Sequence, residues 1–247
     1  MSKHYTLFLI LLCCIVFANS TVMAQDRPAD SVQLHTIAKN MEAVFNKAIG
    51  DRSGLYNGPA FIPYNFRSKT NANFKDTTSF SNGAVNYDGV VYTNVPLIYN
   101  LHKEVLVSHL YNGFSLYTFL NDRVYTFDLL DHHFVRILAD TVNKQLTTGF
   151  YDELYNNKLR LLARRTKSIQ EESSLQGISS IFVPKTEYFL KKGTMYYNVN
   201  SQGKFFDVLK DRKKELKQYL KDNKIKFGDN PEQAMITLAA YYDHLNN

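Results

Sequence analysis

The spacing of apolar positions changes several times along this 247-residue chain, and each change predicts a different element. Tyr5 to Phe17 is a continuous apolar run behind Lys3 and His4, followed by the small-residue pattern Val22-Met23-Ala24. That reads as a cleavable secretory signal over 1–24, too short and wrongly flanked for a spanning helix. Leu34, Ile37, Met41, Val44 and Phe45 then recur at steps of three and four. The spacing predicts a helix over about 31–48, with Asp30 and Gln33 as a capping box and Gly50 as its stop. From 50 to 79 the period is lost among Asn57-Gly58-Pro59, Pro63 and a polar run from Ser68 to Thr78, the expected form of a surface loop or partner-facing lid.

Between about 80 and 200 the pattern becomes that of short strands. Asn82-Gly83, Asp88-Gly89, His102-Lys103, Asn112-Gly113, Asn121-Asp122 and Asp131-His132 are expected turns, and the segments between them are rich in Val, Ile, Leu, Tyr, Phe and Thr. Such spacing predicts an antiparallel meander. Val105–Leu110 and Phe114–Leu120 are apolar on both faces, so both should be covered twice. Lys158 and Arg160 alternate with Leu159 and Leu161 as on a strand with one wet face. Lys192-Gly193 should join a hairpin of 181–190 and 194–199. Helical spacing then returns over 203–245 in two helices. Ser201 caps the first, over 203–222, and Asn230 caps the second, with Pro231 at its first position and Gln233 completing a box. Phe205, Phe206, Leu209, Leu216, Tyr219 and Leu220 form one buried face, and Met235, Leu238, Tyr242 and Leu245 the other. The expected architecture is one α+β domain over 25–247: a curved antiparallel β-meander sheet of roughly eight to eleven strands, flanked by one N-terminal and two C-terminal helices.

Composition narrows the chemistry. Both cysteines, Cys13 and Cys14, lie inside the signal, without the small-residue approach of a lipid-modified cysteine. The exported chain therefore has no thiol for a disulfide, a thiolate metal site or a nucleophile. Hydrophobic residues make up 45% and aromatics 14%, enough for a packed core without disulfide staples. No later apolar stretch has the length of a membrane helix. The formal charge of +6 is local, because residues 204–226 hold nine basic and four acidic side chains. Lys210, Lys214, Lys217 and Lys221 make a stripe that is a candidate surface for anionic lipid headgroups or acidic polysaccharide. Asp207–Lys210 and Asp211–Lys214 pairs are expected to cancel much of its field.

Asp128, Asp131, His132 and His133 are the one cluster of metal-ligand types. Adjacent histidines on a strand face opposite ways, so Asp131 with His133 is the feasible pair, and a third ligand would have to come from His102 or His109. A polar turn between strands is the preferred reading. Arg164, Arg165 and Lys167 are read as a solvated strand end, with anion binding as the alternative. There is no Gly-x-Ser-x-Gly elbow, Gly177-Ile178-Ser179-Ser180 stopping short of it. There is no phosphate loop and no evident pair of catalytic carboxylates. No catalytic residue and no cofactor is expected.

Tyr87-Asp88-Gly89, Tyr92, Asn94-Val95-Pro96-Leu97 and Asp122-Arg123-Val124 to Phe127 resemble a family of exported proteins from Bacteroidota-type bacteria. Gly149-Phe150-Tyr151, Leu154-Tyr155, Arg164-Arg165 and the lysine-rich helix before Tyr241-Tyr242 extend the resemblance over most of the chain after the signal. It implies export and a bacterial envelope setting, in the periplasm or outside the cell, and brings no catalytic residue with it. The function expected is non-enzymatic binding of an envelope partner or ligand, with no nucleic acid as partner. One alternative is a carrier of a small lipophilic ligand, since the expected architecture resembles periplasmic lipoprotein carriers, whose half-open barrel holds acyl chains under a helical cover. The other is a hydrolase with an unrecognised site.

Overall fold

A computed structural model describes residues 28–49, 54–66, 68–110, 112–139, 145–174 and 177–246. The signal and its cleavage point lie outside the described residues, as does Gly50. The chain divides into two compact units, Met1–Ala48 and Ile49–Asn247. The first contains all but the last residue of helix α1, Pro28–Ile49, with proline in its first turn, where a missing amide costs no hydrogen bond. Asp30 is already helical, so the expected capping box falls inside the helix. Leu34, Ile37, Met41 and Val44, the apolar stripe of the sequence, are exposed. Among the described residues no helix is long and apolar enough to cross a membrane.

The second unit is a ten-stranded antiparallel sheet with three helices following it in the chain. Its strands are β1 Ser81–Tyr87, β2 Val90–Asn100, β3 Val105–His109, β4 Leu116–Thr118, β5 Val124–Leu129, β6 His132–Ile137, β7 Gly149–Asn156, β8 Arg160–Ser174, β9 Gly177–Lys192 and β10 Met195–Asn198. They lie in the order β10-β9-β8-β7-β6-β5-β1-β2-β3-β4. The antiparallel hairpins are as expected, but the sheet is not a simple meander, because β5 pairs with β1 and not with β4, and not every expected turn is one. Asp88-Gly89 does join β1 to β2, with φ of 53° and 84°, the positive values a tight two-residue hairpin demands. Asn82-Gly83, by contrast, lies within β1, where the register against β2 shifts between Gly83 and Ala84. Phe114 is 91% exposed rather than covered, since β4 runs only from Leu116 to Thr118.

Side-chain alternation places Val85, Phe127, Phe134, Asp152, Ala163 and Tyr188 in one row across six strands, hence on one face. An aromatic core occupies the β1–β7 part of that face. It gathers Tyr87, Tyr99, Phe119, Phe127, Phe134 and Phe150, and Leu55 and Phe74 from the preceding loop join it. Loop residues 54–80 contain two short 3-10 turns and isolated bridges rather than longer elements, as the aperiodic stretch led one to expect. A second core lies where Leu159, Leu161 and Leu190 meet α2 Gln202–Val208, α3 Lys213–Asp222 and α4 Pro231–Leu245. On the opposite face Val135, Tyr151, Leu162, Phe189 and Tyr196 form a third, smaller cluster. Leu161 and Leu162 are therefore both buried, and the start of β8 has no wet face.

The helix expected over 203–222 is two helices. Ser201 does accept from the Lys204 amide, but α2 ends at Val208, and a 3-10 turn, Lys210–Arg212, intervenes before α3. Leu209 itself is fully buried at this break. Asn230 caps α4 by accepting from the Gln233 amide, 3.1 Å. The Gln233 side chain turns instead toward Thr237, so only half of the expected box is made.

Candidate functional site

The register shift in β1 has a local cause and a consequence. A Cβ on Gly83 would come within 2.3 Å of the Asp128 carbonyl oxygen, so only glycine lets β5 approach so closely. Opposite, Asn94 takes a φ of 57° and drops out of the β1–β2 pairing, forming a bulge. Across the same end of the sheet, Leu130 and Asp131 join β5 to β6 with φ of 52° and 63°. Positive φ at a leucine is costly for a residue with a branched side chain, and such strain concentrates at working sites. Between these features lies an open groove of about 710 Å³. Its polar lining comes from Asn82, Thr93, Asn94, Asp128, Asp131 and His133, and it also touches Ala84, Leu129, Leu130 and His132.

His132 and His133 face opposite ways, as adjacent strand residues must. His133 Nδ1 meets Asp128 Oδ1 at 2.5 Å across the β5–β6 pair, on the groove side. His132 Nδ1 meets Asp152 Oδ2 at 2.7 Å, and its ring stands edge-on to Phe74, 4.9 Å between centroids. Asp131 lines the groove without His133 as a metal partner. His102 meets the Lys167 carbonyl at 3.0 Å, and His109 packs on Phe80 with 4.0 Å between centroids. Among the described residues no three His, Cys, Asp or Glu side chains are gathered in a metal-binding group.

Behind His132 runs a chain of charges that the sequence disguised. Asp152, whose side chain is 2% exposed, accepts from Arg165 Nε at 2.8 Å and from a terminal nitrogen at 2.6 Å. Arg165 also holds both oxygens of Glu232 at 2.8 and 2.9 Å, and the Tyr188 hydroxyl donates to Glu232 at 3.0 Å. Burial opposes the charge on Arg165, but the hydrogen bonds and charges of Glu232 and Asp152 outweigh it and raise its pKa above that of ordinary arginine. Burial, together with the charge of Glu232, pushes the Tyr188 hydroxyl up to about 12. The Asp152 carboxylate thus stands between the Arg165 guanidinium and the His132 ring and fixes the orientation of both.

The basic cluster expected at a strand end is therefore an interior feature of β8, and each cation has a carboxylate of its own. Arg164 grips Glu104 at 2.9 and 3.0 Å. Arg165 takes Asp152 and Glu232, and Lys167, with a side chain 4% exposed, takes Asp76 at 2.6 Å and the carbonyls of Asn71 and Asn73. Asp152, Arg165 and Glu232 are too far apart in sequence to form a motif, and no local signal marked them as partners. The groove escaped notice for the same reason, because Asn82-Gly83 carries the pattern of a turn. No family model, no curated protein and no solved structure matches this chain.

Proposed function

We propose that this is an exported, non-enzymatic binding protein of a bacterial envelope, and that the groove at the β5–β6 turn is its ligand site. The observation that carries the reading is the construction of that groove. A glycine that tolerates no side chain, a bulge at Asn94 and a strained Leu130-Asp131 turn are all spent on holding it open. Its lining offers two carboxylates, two amides, a hydroxyl and an imidazole, which suits a small ligand rich in hydrogen-bond donors, such as an amino sugar, a polyol or a polyamine.

The same reading includes a rolled sheet. Tyr99 of β2 lies 6.0 Å from Phe150 of β7, ring to ring, although three strands separate them in the sheet order. A flat sheet would hold those strands roughly 19 Å apart. Leu101 and Glu104, beyond β2, likewise reach β8 through the Lys167 amide and Arg164. The space inside such a roll is taken by rings in mutual contact, Tyr99, Phe127, Phe134 and Phe150, which gives no support to a carrier of acyl chains. A histidine oriented by a buried aspartate favours the hydrolase alternative, but Asp152 is equally committed to Arg165 and reads as a structural tie.

The test is a thermal-shift series with amino sugars, polyols and polyamines, on wild type and on Ala84→Tyr, which fills the groove from a strand position. A saturable upward shift in wild type that Ala84→Tyr loses is expected. No shift with any of the three classes, or shifts that survive in the variant, would refute the groove as the site. For export, the intact mass of the secreted product should correspond to a chain beginning at Gln25 without a lipid adduct.

A further inference from the structure

The acidic residues expected to shield the lysine stripe are committed elsewhere. The break at Leu209 changes the helix phase, so Asp207 and Lys210 no longer sit one turn apart. Asp207 pairs with Lys213 at 3.1 Å. Asp211 pairs with Lys192 at 2.6 Å and accepts from the Tyr242 hydroxyl at 2.7 Å. Glu215 pairs with Arg212 at 3.4 Å, and Asp222 accepts from Gln218 at 2.6 Å. Lys210, Lys214, Lys217 and Lys221 are all exposed. None of the four forms an ion pair among the described residues. The expected Asp207–Lys210 and Asp211–Lys214 pairs do not form.

The shape of the row selects its partner. On α3, positions 214, 217 and 221 fall within an arc of roughly 60°, and steps of three and four residues separate them by about 4.5 and 6 Å along the axis. Lys213 lies beside the row, one turn before Lys217, but its charge is taken by Asp207. Leu216 and Leu220, on the other side of α3, are buried in the helix core, so no apolar face is free to enter a bilayer. The exposed positions flanking the row include Gln218 and Asp222, and a flat anionic membrane would press against an acid there as well as against the lysines. A linear polyanion touches only the ridge. We propose that this row binds an acidic polysaccharide carrying a carboxylate or sulfate along its length, at a surface distinct from the groove.

The probe is polygalacturonate, titrated into the full-length exported protein at low and at moderate salt. Wild type should bind at low salt and weaken as salt rises, because neutralising a polyanion releases its counterions. The combined Lys210→Gln, Lys214→Gln, Lys217→Gln and Lys221→Gln variant should bind at least about tenfold more weakly with an unchanged circular dichroism spectrum and melting temperature. A control with Lys69→Gln, Lys75→Gln, Lys158→Gln and Lys185→Gln removes the same charge from other exposed positions and should bind as wild type does. Failure of wild type to bind, equal loss in the control, or tighter binding to phosphatidylglycerol vesicles than to polygalacturonate would each overturn the proposal.

Discussion

The aromatic core over β1–β7 and the helix-covered core beside it share one face of the sheet but are built of different materials. The first is closed mainly by strands and a loop, and aliphatic side chains share it with large rings, many set edge-on, such as Tyr99 to Phe127 at 5.2 Å and Phe74 to Phe134 at 5.2 Å, with Phe127 stacked on Phe134. The second is closed by helices, and apart from Phe205, Phe206, Phe227 and Tyr242 it is aliphatic, with Leu161, Leu190, Leu209, Leu216 and Leu238 fully buried. Large flat rings reach across the gap that an irregular cover leaves, whereas a helix brings its own close-fitting ridges. Where the two covers meet lies the Asp152–Arg165–Glu232 seam. Glu232 sits in the first turn of α4, where the positive end of the helix dipole favours its negative charge. The comparison teaches that the join between the cores is polar, paired and buried.

The seam gives the largest expected effect. Arg165→Ala strands Asp152 and Glu232 against each other without a cation, and losing one partner of a buried ion pair costs about 3–5 kcal/mol. Urea unfolding should show that loss in the midpoint at unchanged slope. A change below about 1 kcal/mol would mean that water already reaches the seam.

Truncation in each core asks whether they are one cooperative unit. Phe134→Ala should cost about 3–5 kcal/mol and Leu238→Ala about 2–5 kcal/mol. Both residues are at most 1% exposed. If the seam couples the cores, each variant shifts a single transition seen alike by near- and far-UV circular dichroism. Two separated transitions, one moved by each variant, would break the coupling.

Alkali should act through tyrosines on both sides of the comparison. Burial raises the Tyr99 and Tyr117 hydroxyls in the aromatic core, and Tyr188 at the seam is raised to about 12. A pKa raised by folding contributes stability fully below the ordinary value near 10, and that contribution is lost as pH climbs toward the folded value. Ultraviolet titration of the tyrosines should therefore show an exposed class ionising near 10 and a buried class appearing only with unfolding above it. Ionisation of all of them near 10 with the circular dichroism unchanged would contradict the buried placement.

Much of this was legible in the chain. Alternation and turn pairs gave the antiparallel sheet within the expected range of strands, and Ser201 and Asn230 marked the helix starts they cap. Those signals are local, carried by neighbouring residues. Asn82-Gly83 misled because a bulge and a turn both favour the same residues, and only the nearness of Asp128, 45 positions on, distinguishes them. The kink at Leu209 was hidden because its side chain suits either a continuous helix or a break. Lysine pairing followed the kink, and the Arg165 seam depends on contacts 13 and 67 residues away.

The smallest effect probes the interior of the aromatic core itself. The Tyr99 hydroxyl is buried and has no hydrogen-bond partner among the described residues. That of Tyr151, buried on the opposite face, donates to the Thr147 carbonyl at 2.9 Å and accepts from the Thr147 amide at 3.2 Å. Removing an unsatisfied buried hydroxyl relieves a desolvation cost, while removing a paired one forfeits its bonds and strands its partners. Tyr99→Phe should then be neutral or stabilising by up to about 1 kcal/mol, and Tyr151→Phe destabilising by about 1–3 kcal/mol. Measured side by side in urea, opposite signs would place the aromatic core as a dry one. An equal loss in both variants would mean that Tyr99 meets a water inside the aromatic core, and the contrast between a ring-rich core and a helix-covered one would then weaken at its centre.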